Sequence, residues 1–116
     1  IRVYGTKGGL FWEQEHPNYV YFLAPDGPAQ IYKRGNGYFG PAATRATHLP
    51  FGHPEAFFEA FGNIYQNVGD TIRAKLEGRT PSELELDFPT VYDGARGVKF
   101  IEKVVESGRQ SQWVKF

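Results

Sequence analysis

Five polar or titratable residues, Arg45, Thr47, His48, His53 and Glu55, crowd into residues 45–55. Two imidazoles and a carboxylate raise the question of a metal centre. His48 and His53 lack the i,i+4 spacing of a helical ligand pair, and no third clear ligand adjoins them, so the pattern does not read as a metal site. A rim for a small hydroxylated molecule suits the residue types better. His53 and Glu55 directly precede an apolar helical pattern, where polar groups can face ligand hydroxyls, and Arg45 and His48 can reach in from the loop. The substrate-binding candidates are therefore His53, Arg45, His48 and Glu55, against the alternative that His53 merely caps the helix. His16, in the turn Glu15-His16-Pro17, reads as simply exposed.

The second stretch with chemical potential is Gly5-Thr6-Lys7-Gly8-Gly9, which follows a strand-like run and resembles a phosphate cradle at first sight. A dinucleotide fingerprint needs G-x-G-x-x-G opening a helix, and a P-loop needs G-x-x-x-x-G-K-[ST]. Neither spacing is present. Leu10-Phe11-Trp12 follows, bulky and β-favouring, so the glycines read as a turn between two antiparallel strands. No residue is assigned to cofactor binding, to metal binding or to catalysis.

The elements that must position these residues follow from pattern. Residues 1–5, 10–14, 19–24 and 29–34 are short and rich in β-branched or aromatic side chains, with turn residues between them, which predicts an antiparallel meander. Residues 35–54 show neither helical nor strand periodicity, and an irregular segment of that length inside a domain is usually functional or mobile. From Pro54 an apolar stripe of Phe57, Phe58, Phe61, Ile64, Tyr65, Val68, Ile72 and Leu76 predicts a helix, with Gly78 as its left-handed stop. After a polar connection over residues 79–89, Thr90 and Asp93 form a near capping box for a second helix. Its expected buried face is Gly94, Val98, Ile101 and Val105, its expected end is Gly108, and Trp113-Val114-Lys115-Phe116 reads as a closing strand. Both faces of the meander are apolar, so one of them calls for a partner.

Composition narrows the function. The 116 residues suffice for one domain with its own core. Thirteen basic and thirteen acidic residues cancel, without a Lys/Arg run, which argues against nucleic acid as a partner. No cysteine is present, so disulfides and thiol chemistry are excluded and a reducing, cytoplasmic setting is expected. No stretch suggests a signal peptide or a membrane partner. The chain also has no methionine, even at position 1, which predicts that it is a segment of a longer product.

Three stretches in order resemble one family. Asp87 to Phe116, DFPTVYDGARGVKFIEKVVESGRQSQWVKF, is similar to the C-terminal end of the glucose-fructose oxidoreductase / inositol dehydrogenase (Gfo/Idh/MocA) family, Gly52 to Tyr65 resembles the helix before it, and IRVYGTKGGL resembles its mid-sheet hairpin. The resemblance implies an α+β fold over residues 1–116, an open mainly antiparallel β-sheet with two helices packed on one face, as the C-terminal domain of a two-domain enzyme. It implies a parent NAD(P)-dependent oxidoreductase acting on sugars, polyols or related hydroxy compounds, with NAD or NADP on an N-terminal Rossmann domain absent from these residues. The family's glycine fingerprint, E-K-P lysine and D-x-x-x-H pair have no counterpart here, so residues 1–116 alone are expected to be inactive and to hold no cofactor. The resemblance further implies a homo-oligomer through the open sheet face and a small hydroxylated substrate in the parent. The alternative is a stand-alone α+β binding or dimerisation module without catalytic activity.

Overall fold

A computed structural model describes residues 1–116, which divide into two compact units, Ile1–Gln66 and Asn67–Phe116. The first unit opens with four strands, β1 (Arg2–Gly5), β2 (Gly8–Trp12), β3 (Tyr19–Leu23) and β4 (Gln30–Lys33), in the sheet order β1-β2-β3-β4. All three pairings are antiparallel. The expected meander is thus present, with its strands at or within a few residues of the predicted runs. Gly5 pairs with Gly8 and closes the first hairpin. Gly8 has φ 138°, and a Cβ there would lie 2.8 Å from the Leu23 carbonyl oxygen, so the turn requires glycine at that position.

Register fixes which side chains share a face, because alternate residues point oppositely. Arg2, Phe11, Tyr21 and Ile31 lie in one row across the sheet, and Trp12, Val20 and Tyr32 in a row of the opposite face. On the first face, the Phe11 and Tyr21 rings are 5.3 Å apart and the Arg2 guanidinium lies 4.7 Å from the Phe11 centroid. On the second, Tyr32 meets Tyr38 and Phe39, at 5.6 and 6.3 Å, from the segment after β4. The opposite face therefore receives side chains of the following loop, and the Phe11–Tyr21 face contacts its own sheet.

The segment expected to be irregular contains a short helix, α1 (Pro41–Arg45), which five residues are too few to announce by periodicity. The long helix α2 (Phe57–Leu76) begins three residues later than Pro54. The Glu59 carboxylate accepts the Ala56 N–H at 2.9 Å, which makes Ala56 the point of entry. Residues 54–55 stay outside the helix, and the Glu55 N–H donates to Asn18 Oδ1 at 3.0 Å.

In the second unit, the remainder of α2 ends with Gly78 at φ 72°, the expected left-handed stop. Only part of the predicted apolar stripe of α2 meets its own chain: Ile64 and Val68 are half-buried, while Phe57, Phe58 and Phe61 are exposed. Thr71 and Ala74 are the buried residues of α2, while Ile72 and Leu76 are exposed. The reason is a polar anchor: Thr71 Oγ1 donates to the Glu85 carbonyl at 2.8 Å and Asn67 Nδ2 to the Asp87 carbonyl at 2.9 Å, so the connection lies along Asn67 and Thr71. Arg79 clamps that connection with two bonds to the Glu85 carboxylate, at 2.9 and 2.7 Å, and Ser82 adds its N–H and hydroxyl.

Helix α3 (Val91–Gln110) starts as predicted, with Asp93 accepting the Thr90 N–H at 2.8 Å and the Thr90 hydroxyl at 2.7 Å. It runs through Gly108 and stops at Ser111, whose φ of 52° is left-handed, with the Gln112 N–H returning to the Ser107 carbonyl. The expected buried face is not buried: Val98, Ile101 and Val105 are exposed, and no residue of α3 is buried. Nor do residues 113–116 form a strand. The Phe116 ring instead meets Phe100 edge-on at 6.1 Å, with the cations of Arg96 and Lys99 at 5.8 and 5.3 Å from its centroid, so an aromatic contact with α3 takes the place of a ladder. No helix is long and apolar enough to cross a membrane.

Candidate functional site

The candidate residues gather around one cation that their sequence neighbourhood does not single out. Arg34, just past β4, points its guanidinium into the loop over residues 48–55. Nε donates to Asn18 Oδ1 at 2.9 Å, and Nη1 to Glu55 Oε1 and the Leu49 carbonyl, both at 3.0 Å. Nη2 donates to the Pro50 carbonyl at 3.3 Å and also to the His53 carbonyl. Glu55 Oε1 accepts further from the His48 N–H at 2.6 Å and from the Leu49 N–H.

Glu55 is only 6% exposed, with its carboxylate turned to Arg34. A buried carboxylate is tolerable only when paired and hydrogen-bonded, and here Arg34 and two backbone amides do both. Removing either member of the ion pair would strand the other, at a cost of about 3–5 kcal/mol.

His53 sits at the exit of a tight turn. Its N–H donates to the Pro50 carbonyl at 3.1 Å, and Gly52 has φ 85°, the combination of a type II turn with glycine in its third position. The cap of α2 is the Glu59 carboxylate, not His53. Glu59 is held below the usual carboxylate range, chiefly by the Ala56 N–H and its own N–H, with smaller contributions from the charges of His48 and Arg34. His53 lines a cleft of about 490 Å³ with His16, Lys33, Asn18 and Phe51. That cleft joins His16, which the sequence leaves as an isolated turn residue, to His53 across 37 positions of chain.

His48 faces the other way. Its Nε2 is 2.5 Å from Asn63 Oδ1 on α2. The Asn63 amide nitrogen is committed to the Ala46 carbonyl at 3.1 Å, so the oxygen accepts and His48 Nε2 carries the hydrogen. Asn63 lines a second cleft of about 380 Å³, bordered by Trp12, Glu55, Phe57 and Glu59. Arg45 closes α1 and lines neither cleft. Thr47 donates its hydroxyl to the Ala43 carbonyl at 2.8 Å and is tied into α1.

Among the sequence candidates, then, His53 lines one cleft, Glu55 borders the other, His48 reaches it only through its bond to Asn63, and Asn18, Arg34 and Asn63 are added by the structure. The opening glycines form the β1–β2 turn. They lie in a turn flanked by strands on both sides, whereas a dinucleotide fingerprint leads from a strand into a helix.

A four-stranded antiparallel sheet with helices after it is the architecture of the C-terminal domain of inositol dehydrogenase-like oxidoreductases. Known proteins identify the particular relatives. No family model matches the chain. An uncharacterized oxidoreductase of Bacillus subtilis (strain 168), YfiI, is 32% identical over all of the chain and 30% of its own length. An oxidoreductase structure from Sinorhizobium meliloti superposes with a TM-score of 0.87 at 38% identity, over 98% of this chain and 31% of that one. An inositol dehydrogenase homologue from Azotobacter vinelandii, in complex with NADH and myo-inositol, superposes with a TM-score of 0.86 at 33% identity, over 99% and 31%. The family resemblance read from the sequence is thereby borne out: the chain is a homologue of these oxidoreductases and spans about 30% of their length.

Proposed function

We propose that residues 1–116 supply the substrate side of an NAD(P)-dependent oxidoreductase acting on a sugar, polyol or related hydroxy compound, with the dinucleotide held outside them. The observation that carries this reading is the likeness to the Azotobacter vinelandii homologue that was captured with NADH and myo-inositol. Within the chain, the rim is the loop 45–55. His53 faces a cleft of a size suited to a small polyol, His48 and Arg45 belong to the same loop outside the lining of that cleft, and Glu55 holds the loop from inside.

The test is kinetic, in the full-length gene product. His53→Ala and Arg45→Ala are expected to raise KM for the polyol or lower kcat by about ten-fold or more, with cofactor affinity nearly unchanged. Wild-type kinetics in both variants would remove these residues from the site.

The same reading extends to assembly. The Phe11–Tyr21–Ile31 face is apolar and Ile31 is 52% exposed, so a second copy of the chain is the partner we assign to it. The absence of cysteine suits a cytoplasmic setting for the whole.

A further inference from the structure

We propose that Arg34 is a positioning residue for the substrate rim, acting through the backbone of residues 48–53 and not on the substrate itself. The inference rests on the rim reading of His53 given above. Three observations carry it. First, Arg34 spends its donors on the loop: the carbonyls of Leu49, Pro50 and His53 and the carboxylate of Glu55 all accept from it, so one planar cation fixes four points of a segment without regular structure. A guanidinium presents its donors in a rigid fork, which an ammonium cannot reproduce. Second, Glu55 passes the constraint on, because the oxygen that pairs with Arg34 also accepts the N–H of His48. The backbones on either side of the rim, at His48 and His53, therefore share a single anchor.

Third, the adjoining Gly35 lets the loop approach β4. At φ 75°, a Cβ on Gly35 would lie 3.4 Å from both Cα and N of Phe51, one residue before the Gly52 turn that delivers His53. Asn18 completes the anchor from the start of β3, accepting from both Arg34 and the Glu55 N–H through one oxygen. The rim is in this way keyed to two strands of the sheet, and a shift of the Arg34 guanidinium moves His53 and His48 together.

The experiment pairs hydrogen–deuterium exchange with steady-state kinetics on the full-length gene product, using myo-inositol and NAD⁺ as probes. In Arg34→Gln the amides of His48 and Leu49 should exchange about ten-fold faster or more while β2 and β3 keep their rates. KM for myo-inositol should rise about ten-fold with KM for NAD⁺ held within about two-fold. Arg34→Lys keeps the charge opposite Glu55 and guards against loss of folding; intermediate exchange and intermediate KM are expected there. Wild-type exchange over residues 47–55 in a folded Arg34 variant would overturn the proposal. So would a loosened loop with unchanged KM for myo-inositol in a protein whose His53→Ala variant is impaired. If His53→Ala is itself silent, the rim reading fails and the positioning role falls with it, a result distinct from the previous two.

Discussion

Glu85 shows at the scale of one residue how a polar cluster that looks functional can serve the fold. The Arg79 guanidinium first, then the N–H and hydroxyl of Ser82, hold its carboxyl down to about 2, and Arg79 is raised in turn. A depressed folded-state value means that the ionised form is favoured by folding, so this contribution is complete above the ordinary carboxylate value of 4.5 and is lost as pH falls through it toward 2. Comparing urea midpoints of the wild type and Glu85→Gln should therefore show a gap that is widest near neutrality and shrinks toward pH 2. A gap independent of pH would mean that the carboxylate charge is not what the clamp uses. Arg79 and Glu85 are six residues apart, and nothing in the run between them marks the pair. Arg34 and Glu55 are harder still, because their partnership depends on where β4 ends and how the loop returns. His53 enters the candidate set because two imidazoles before a helix are conspicuous; Asn18 and Asn63 do not, since an asparagine in a turn or on a helix has an ordinary local explanation.

Elements were read best where a local rule decides them. The β1–β2 hairpin, the Thr90–Asp93 cap and the Gly78 stop each depend on a few adjacent residues, and each stands where the sequence places it. The entry to α2, the inner face of α3 and the chain end depend on distant partners, and there the pattern misleads. Pro54 suits a first helical position, yet α2 opens at Phe57, with the Ala56 N–H on the Glu59 carboxylate and Glu55 engaged by Arg34 and Asn18. Phe57, Phe61 and Tyr65 stack along α2 at 5.6 and 5.7 Å while remaining exposed, so an apolar stripe foretells a helix without telling what covers it. The hairpin offers a direct check. Gly8→Ala would place a Cβ against the Leu23 carbonyl in a backbone conformation closed to alanine, and a loss of about 1–3 kcal/mol is expected by chemical denaturation. A neutral effect would show that the turn relaxes and that glycine is not required.

For the whole molecule, the deciding feature is how little apolar surface the chain keeps to itself. Ala74 is the single buried apolar residue, whereas Tyr4, Ile31, Phe58, Val98 and Ile101 are all exposed. Burial of such side chains gains roughly 25 cal/mol per Å², enough for a sheet-sized patch to give several kcal/mol against a partner. Sheet register now chooses between the two faces. Tyr32 on one face already meets Tyr38 and Phe39, so Tyr21 on the other is the residue to charge. Tyr21→Glu is expected to convert a dimer or larger species to monomer or aggregate in sedimentation velocity at micromolar concentration. A concentration-independent monomer that ignores the substitution would exclude that face as an interface.

On the proposed function, residues 1–116 border the substrate and leave the dinucleotide to other parts of the protein. A structure of the full-length gene product with NADH and a bound polyol tests it most directly. A polyol hydroxyl should lie within hydrogen-bond reach, about 2.7–3.2 Å, of a side chain from the 45–55 loop, His53 foremost, with the pyrophosphate bound outside residues 1–116. A polyol enclosed without any side chain of that loop, or a pyrophosphate seated on Gly5–Gly9, would contradict the account.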